Sequence, residues 1–131
     1  VRAAEERAVT QLYIDRLRIA TSSTEKEAAQ LSGGNQQKVV LSKCLFAEAG
    51  LLMLDEPTRG IDVGAKSEIY GIIRQLSAEG TSILIFSSEL PEVINICDTI
   101  HLLYDGSIRE TIHNGCDIDS ERIIHIVTGG A

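Results

Sequence analysis

Two prolines among 131 residues, Pro57 and Pro91, leave no stretch that reads as a flexible linker. Cysteine is as scarce. Cys44, Cys97 and Cys116 are odd in number and widely spaced, which argues against a disulfide framework or a cysteine metal site. Cys44 and Cys97 stand among apolar neighbours and read as small core residues, so a reducing compartment is expected. No apolar run approaches the roughly 18 residues a membrane-spanning helix needs. The start, VRAAEERAV, is charged from the outset and unlike a signal peptide. Positive charge is also short: 12 Lys and Arg against 19 Asp and Glu give a net charge of -7. An acidic chain is a poor general binder of nucleic acid or anionic lipid, so any phosphate site must be local. Nor is there a GxxxxGK[ST] loop, whose backbone N–H groups cradle phosphates in many nucleotide-binding proteins.

What is present is enough for one domain with a core; 44% of the residues are hydrophobic. The i, i+3, i+4 spacing of Val9, Leu12, Tyr13 and Leu17 predicts a helix over residues 4–20. A polar loop follows over 20–30, with room for a helical turn at its end and a solvated TEKE charge run inside it. Val39, Leu41, Leu45 and Phe46 place a second helix from about Asn35 to Ala49, stopped by Gly50. LLML (51–54) and TSILIFS (81–87) read as short strands buried on both faces of a parallel sheet. Between them, Ile69, Ile72, Ile73 and Leu76 mark a third helix over Val63 to Glu79. Ser88 is placed to cap a short helix that tolerates Pro91 in its first turn. Asp105-Gly106 separates two strand-like runs and predicts an antiparallel hairpin, and a last helix is expected from Ser120 to Val127. Strand, helix and strand alternate through the middle, which means α/β.

Two motifs carry chemistry. In LSGG (31–34), two glycines let a ligand approach the backbone and stand just ahead of a helix, whose free N–H groups and dipole favour an anion. Ser32 adds a hydroxyl that can donate to a phosphate oxygen. Alone, the motif reads equally well as an ordinary loop and helix cap. LLMLDE (51–56) sets Asp55 where a strand leaves the core at the carboxyl edge of the sheet, the edge at which α/β proteins bind ligands. An aspartate there suits Mg²⁺, which prefers one or two carboxylates with water and phosphate oxygens. Glu56 beside it can orient or deprotonate an attacking water. His101, His113 and His125 have no acid or cysteine spaced as a co-ligand, Tyr70 reads as packing, and Lys38 reads as a solvated cation.

Taken together, LSGGNQQK (31–38), LLMLDE (51–56) and GID (60–62) resemble the signature, Walker B and D-loop motifs of ATP-binding cassette (ABC) transporters. LDEPTRGIDVGAK and the later SSELPEV (87–93) are similar to one subgroup, the second cassette of double-cassette ATPases in bacterial monosaccharide importers for ribose, xylose or galactose. The resemblance spans essentially the whole chain. It implies a partial RecA-like P-loop NTPase core: a mostly parallel sheet with flanking helices and a C-terminal β-hairpin. Residues 1–50 would form the signature and helical part, and 51–131 the Walker B and C-terminal α/β part. Asp55 would bind Mg²⁺ through water, and Glu56 would be the catalytic glutamate. Ser32, Gly33 and Gly34 would cap the γ-phosphate of ATP held by a second cassette, since such cassettes close head to tail. Gln36 could approach that nucleotide. Asp62 would sit at the cassette interface, with Arg59 near it.

The resemblance also implies partners: a second cassette, expected to be the N-terminal half of the same polypeptide, transmembrane permease subunits, and indirectly a periplasmic or lipoprotein sugar-binding protein. The place would be the cytoplasmic face of the membrane, with no nucleic acid involved. In the family a Walker A loop and a Q-loop precede the signature, so this chain is expected to be a C-terminal piece of a longer polypeptide, marginally stable or self-associating by itself. At Ser88 the family usually has histidine. Serine lacks the imidazole's charge and reach, so the ATP site built on this half's own Walker A is expected to be degenerate. Two other readings compete. One is a non-catalytic dimerisation module. The other is a soluble ABC-type ATPase of DNA repair, disfavoured by the acidic charge and the absence of a coiled-coil insertion.

Overall fold

A computed structural model describes residues 2–113 and 119–130. They form two compact units, Val1–Leu84 and Ile85–Ala131.

The first unit opens with α1 (Ala3–Leu17), which ends at Arg18 in the left-handed conformation, φ 51°. The Ile19 N–H reaches back to the Ile14 carbonyl and closes the helix end. After a 3₁₀ turn at Ala28–Gln30 comes α2 (Gly33–Phe46). It starts two residues before the expected Asn35, because both glycines of the LSGG motif are already helical. Tyr13 of α1 meets Phe46 of α2 edge to face, centroids 6.4 Å apart.

β1 (Leu51–Asp55) leads through a turn to α3 (Val63–Ala78), and β2 (Ser82–Phe86) pairs with β1 in a parallel two-stranded sheet. Asp62 caps α3 by accepting from the Ala65 N–H at 3.0 Å. Leu41, Leu52, Leu54, Ile69, Ile73 and Leu76 are buried.

One expectation needs correction here. The strands are not covered on both faces: Leu52 and Leu54 are buried, but Leu51 is 53% and Met53 61% exposed. The apolar alternation of β1 is real, yet the described residues cover only its inner side. Leu84 of β2 is exposed as well.

The second unit contains α4 (Leu90–Ile96), the hairpin β3 (Thr99–Tyr104) and β4 (Ser107–His113), and α5 (Ser120–Val127). The hairpin turns at Asp105-Gly106, φ 48° and 69°, the doubly left-handed turn that matches strand twist and that glycine adopts freely. Ile100, Leu102 and Ile123 form its core, with Cys97 packed against them. Burial pushes the Cys97 thiol up, and the carboxylates of Glu92 and Asp98 push it further, so it stays a thiol and packs as a small hydrophobe. Cys44 is half-buried; Cys116 lies outside the described residues. On the open face, His101 Nδ1 bonds to Thr111 Oγ1 at 2.9 Å and His113 Nδ1 to Thr99 Oγ1 at 3.3 Å, cross-strand pairs that use these histidines structurally.

Ser88 does not cap α4. The cap position is Glu89, and it is Ser87 Oγ that accepts the Glu89 N–H, at 3.0 Å. With Leu90 as the first helical residue, Pro91 sits in the first turn, where its missing N–H costs nothing.

Candidate functional site

The LSGG turn is held from both sides by side chains of the helix it opens. Asn35 Oδ1 accepts the Ala20 N–H at 2.8 Å, and Asn35 Nδ2 donates to Ser32 Oγ at 2.8 Å. Gln36 Nε2 donates to the Leu31 carbonyl at 2.9 Å and the Ala29 carbonyl at 3.2 Å. Both Gln36 amide protons therefore hold the 3₁₀ turn against α2, and only its Oε1 is left for anything beyond the chain. Ser32 occupies the cap position of α2 but makes no capping bond to the backbone. The first helical bond runs from Gln36 N–H to the Ser32 carbonyl. The N–H groups of Gly33, Gly34 and Asn35 thus precede the first α-helical bond, as the opening donors of any helix do.

The two glycines do different jobs. A Cβ on Gly33 would meet nothing within 4 Å, so its backbone is open to a ligand. A Cβ on Gly34 would lie 2.6 Å from Ala65 Cβ and 3.7 Å from Ile61 Cγ2. Gly34 is there so that the first turns of α2 and α3 can touch. That contact brings the signature turn against the turn capped by Asp62.

Lys38 corrects the sequence reading. It is no solvated cation: its side chain is 4% exposed, and Nζ donates to Glu68 at 2.7 Å and to the Arg18 carbonyl at 2.9 Å. The left-handed end of α1 turns that carbonyl toward α2, and the buried ammonium ties α1, α2 and α3 together. Glu68 is 63% exposed, so the ion pair itself is screened and worth ~1 kcal/mol or less. The charged bond to a backbone carbonyl in a buried position is worth about 2 kcal/mol. Lys38→Met is therefore expected to lower stability by about 2 kcal/mol, and Glu68→Gln by less than ~1 kcal/mol. Denaturant midpoints of the two variants decide this; the opposite order would refute it.

At the carboxyl end of β1, Asp55 is exposed and Glu56 half-buried. Glu56 has φ 46°, a left-handed conformation that a side chain adopts at a cost of about 1 kcal/mol. Such positions cluster at functional sites. Pro57 and Thr58 behind it are fully buried, and Arg59 and Ile61 donate backbone bonds to the carbonyls of Glu56 and Thr58, both at 3.2 Å. These two backbone bonds close the turn that follows the acids, with Pro57 and Thr58 buried beneath it. Ser88 is exposed and belongs to the second unit. No group of three or more metal-ligating side chains occurs among the described residues. A lone Asp55 beside Glu56 is a donor set that fits Mg²⁺ shared with phosphates and water, not a closed protein cage.

Sequence reasoning missed Asn35 and Lys38. A polar residue at the third helical position was the only signal for the first, and nothing in the sequence marked the second.

The family model described as ABC transporter matches residues 3–59. The chain is 45% identical over 130 residues to the ribose import ATP-binding protein RbsA of Geobacillus kaustophilus, covering 99% of this chain and 26% of that one. It is 50% identical over 109 residues to the xylose import ATP-binding protein XylG of Histophilus somni, covering 83% and 22%. The chain thus spans about a quarter of the length of the curated relatives it matches. Among solved structures it is similar to the ADP conformation of MJ1267, an ATP-binding cassette of an ABC transporter, with a TM-score of 0.76 and 22% identity over 98% of this chain and 48% of that one. It is similar too to the dimeric structure of the bacterial ABC transporter cassette MJ0796, with a TM-score of 0.72 and 19% identity over 86% and 49%. The motifs, the fold and the family match together show that the chain carries part of an ABC transporter ATP-binding cassette.

Proposed function

We propose that this chain serves a sugar-import ATPase by presenting Ser32, Gly33 and the first turn of α2 to ATP held by a second cassette. The observation that carries this reading is the unspent donor set. The Ser32 hydroxyl and the opening N–H groups of α2 converge at an exposed turn, and Gly33 leaves the approach clear. The dimeric cassette to which the chain is similar supports a second cassette as partner. The chain is part of a longer polypeptide whose N-terminal half supplies that cassette. Permease subunits in the membrane and a sugar-binding protein complete the system, with the ATPase at the cytoplasmic face. The relatives' names, ribose and xylose importers, point to a monosaccharide without choosing one. No helix among the described residues is long and apolar enough to cross a membrane.

On the chain's own side, Asp55 would hold Mg²⁺ through water, and a bound ion would neutralise phosphate charge there. Glu56, fixed by its left-handed backbone, orients the attacking water. Ser88 stands where the family carries histidine, and a serine lacks the imidazole's charge and reach. A missing base-type contribution is worth about 10²–10⁴ in rate, so this half's own site is the slow one and the site completed by Ser32 turns over. Asp62, while capping α3, lies at the cassette interface, and Gln36 supports the signature turn from behind. Introducing Ser88→His in the complete protein is expected to raise ATP turnover; unchanged turnover would remove the support for a slow site.

A second reading, a non-catalytic self-associating module, is favoured by one observation: the exposed apolar side chains Leu51, Met53 and Leu84. ATP hydrolysis by the partner cassette alone and mixed with this chain separates the two. Restored turnover supports the trans role. Self-association without any gain supports the module.

A further inference from the structure

We propose that Asn35 is a positioning residue that sets the direction of the Ser32 proton, turning it outward as a donor to the terminal phosphate of a bound nucleoside triphosphate. The inference rests on the reading that Ser32 faces such a nucleotide.

A side-chain amide has one accepting and one donating end, and which end faces which neighbour is fixed by the partners it finds. Here the partner is unambiguous. The Ala20 N–H is a donor only, and it lies 2.8 Å from Asn35 Oδ1. Nδ2 must then face Ser32 Oγ, 2.8 Å away, and donate to it. A serine hydroxyl has one proton and two lone pairs. With Nδ2–H on one lone pair, the proton cannot point at Asn35 and turns to the far side. Cap serines commonly spend Oγ as an acceptor for a backbone N–H of the first turn. Ser32 does not: no side-chain cap bond forms at α2. Ser32 is exposed, so its proton is free to join the opening N–H groups of the helix, and a side chain at Gly33 would meet no atom of another segment within 4 Å. The relay runs from the Ala20 N–H, which fixes the Asn35 amide, to the Ser32 hydroxyl, whose proton is left only the positions that face away from Asn35.

The relay makes an uncommon prediction about an isosteric change. Asn35→Asp keeps the acceptor for the Ala20 N–H and places a carboxylate in the first turn of a helix, where it favours folding. It removes the donor to Ser32. The hydroxyl proton then swings inward to the carboxylate, and Ser32 turns lone pairs toward the phosphate.

The experiment is steady-state ATP hydrolysis by the complete two-cassette protein carrying Ser32→Ala, Asn35→Asp, or both, with thermal unfolding of each. Asn35→Asp is expected to lower turnover by about 10²–10³, the loss of one well-placed donor, with an unchanged or raised unfolding temperature. In the Ser32→Ala background, Asn35→Asp is expected to change turnover by less than about twofold, because its effect passes through a hydroxyl no longer present. An equal cost with and without the hydroxyl would overturn the inference and assign the loss to charge repulsion. So would unchanged turnover in Asn35→Asp when Ser32→Ala is impaired, and the nucleotide-facing reading would survive that result. An active Ser32→Ala protein would instead overturn that reading, and the relay with it. Asn35→Ala, which frees the hydroxyl to rotate, guards against a folding failure of the aspartate variant. It is expected to lose less turnover than Asn35→Asp, and the reverse order counts against the relay.

Discussion

Replacing Gly34 with alanine is expected to destabilise the chain by about 2 kcal/mol. The new Cβ would stand 2.6 Å from Ala65 Cβ, far inside the contact distance of two carbons of roughly 3.5–4 Å. Both atoms are bonded directly to helical backbone, so no flexible side chain can yield and the helices themselves must part. Overpacking of this kind costs about 1–3 kcal/mol, and the rigid geometry puts it near the top of that range. The better helix propensity of alanine returns up to about 1 kcal/mol, which leaves the net figure. Gly33→Ala has no such clash and is expected to be neutral or slightly stabilising. Urea or guanidinium midpoints measure both. Combining Gly34→Ala with Ala65→Gly should recover most of the loss, and a double variant no better than the single would show that the two first turns do not touch.

In the complete protein, Ser32→Arg is expected to lower ATP turnover by about 10² or more while leaving the unfolding midpoint nearly unchanged. Ser32 is exposed and contributes no backbone cap to α2, so little stability depends on it. Arginine removes the donor hydroxyl and fills the space beside Gly33 through which a phosphate would enter. Activity lost without loss of fold is the outcome that places Ser32 against substrate. Glu56→Gln, measured beside it, should cost less than Ser32→Arg if the slow site is the one that uses Glu56. A larger loss from Glu56→Gln would mean that this half's own site carries the turnover.

Most elements were legible because their signals are local. The hairpin follows from Asp105-Gly106, which fits a doubly left-handed turn, and α5 runs over the predicted Ser120–Val127. α3 ends one residue short of Glu79, whose carboxyl is held below the usual range by the Gln75 amide and then by Arg16. Errors arose where a residue's surroundings are set by a distant segment. Lys38 looks solvated until the end of α1 places the Arg18 carbonyl beside it. The two glycines look alike in sequence, and only the crossing of α2 and α3 distinguishes the open one from the packed one. β1 has the composition of a strand covered on both sides, but composition does not say whether the covering layer lies in the same stretch of chain. Ser88 looks like a cap because serine precedes a short helix, but the helix begins one residue later with Glu89 at the cap position, and Ser87 Oγ accepts the Glu89 N–H.

The first turn of α2 also frees one part of the chain to change. Asn35 holds Ala20 at one end of the loop that precedes the signature, and Gln36 holds Ala29 and Leu31 at the other. The loop is pinned at its base by two neighbouring side chains, which separates its tip from Ser32. Lengthening its tip costs chain entropy, about 0.6 kcal/mol for each doubling, together with the exposed Arg7–Glu25 pair, which is worth ~1 kcal/mol or less. Insertions between Thr21 and Glu27 can therefore accumulate, and related chains can differ there in length and composition, without moving the turn that meets the phosphate.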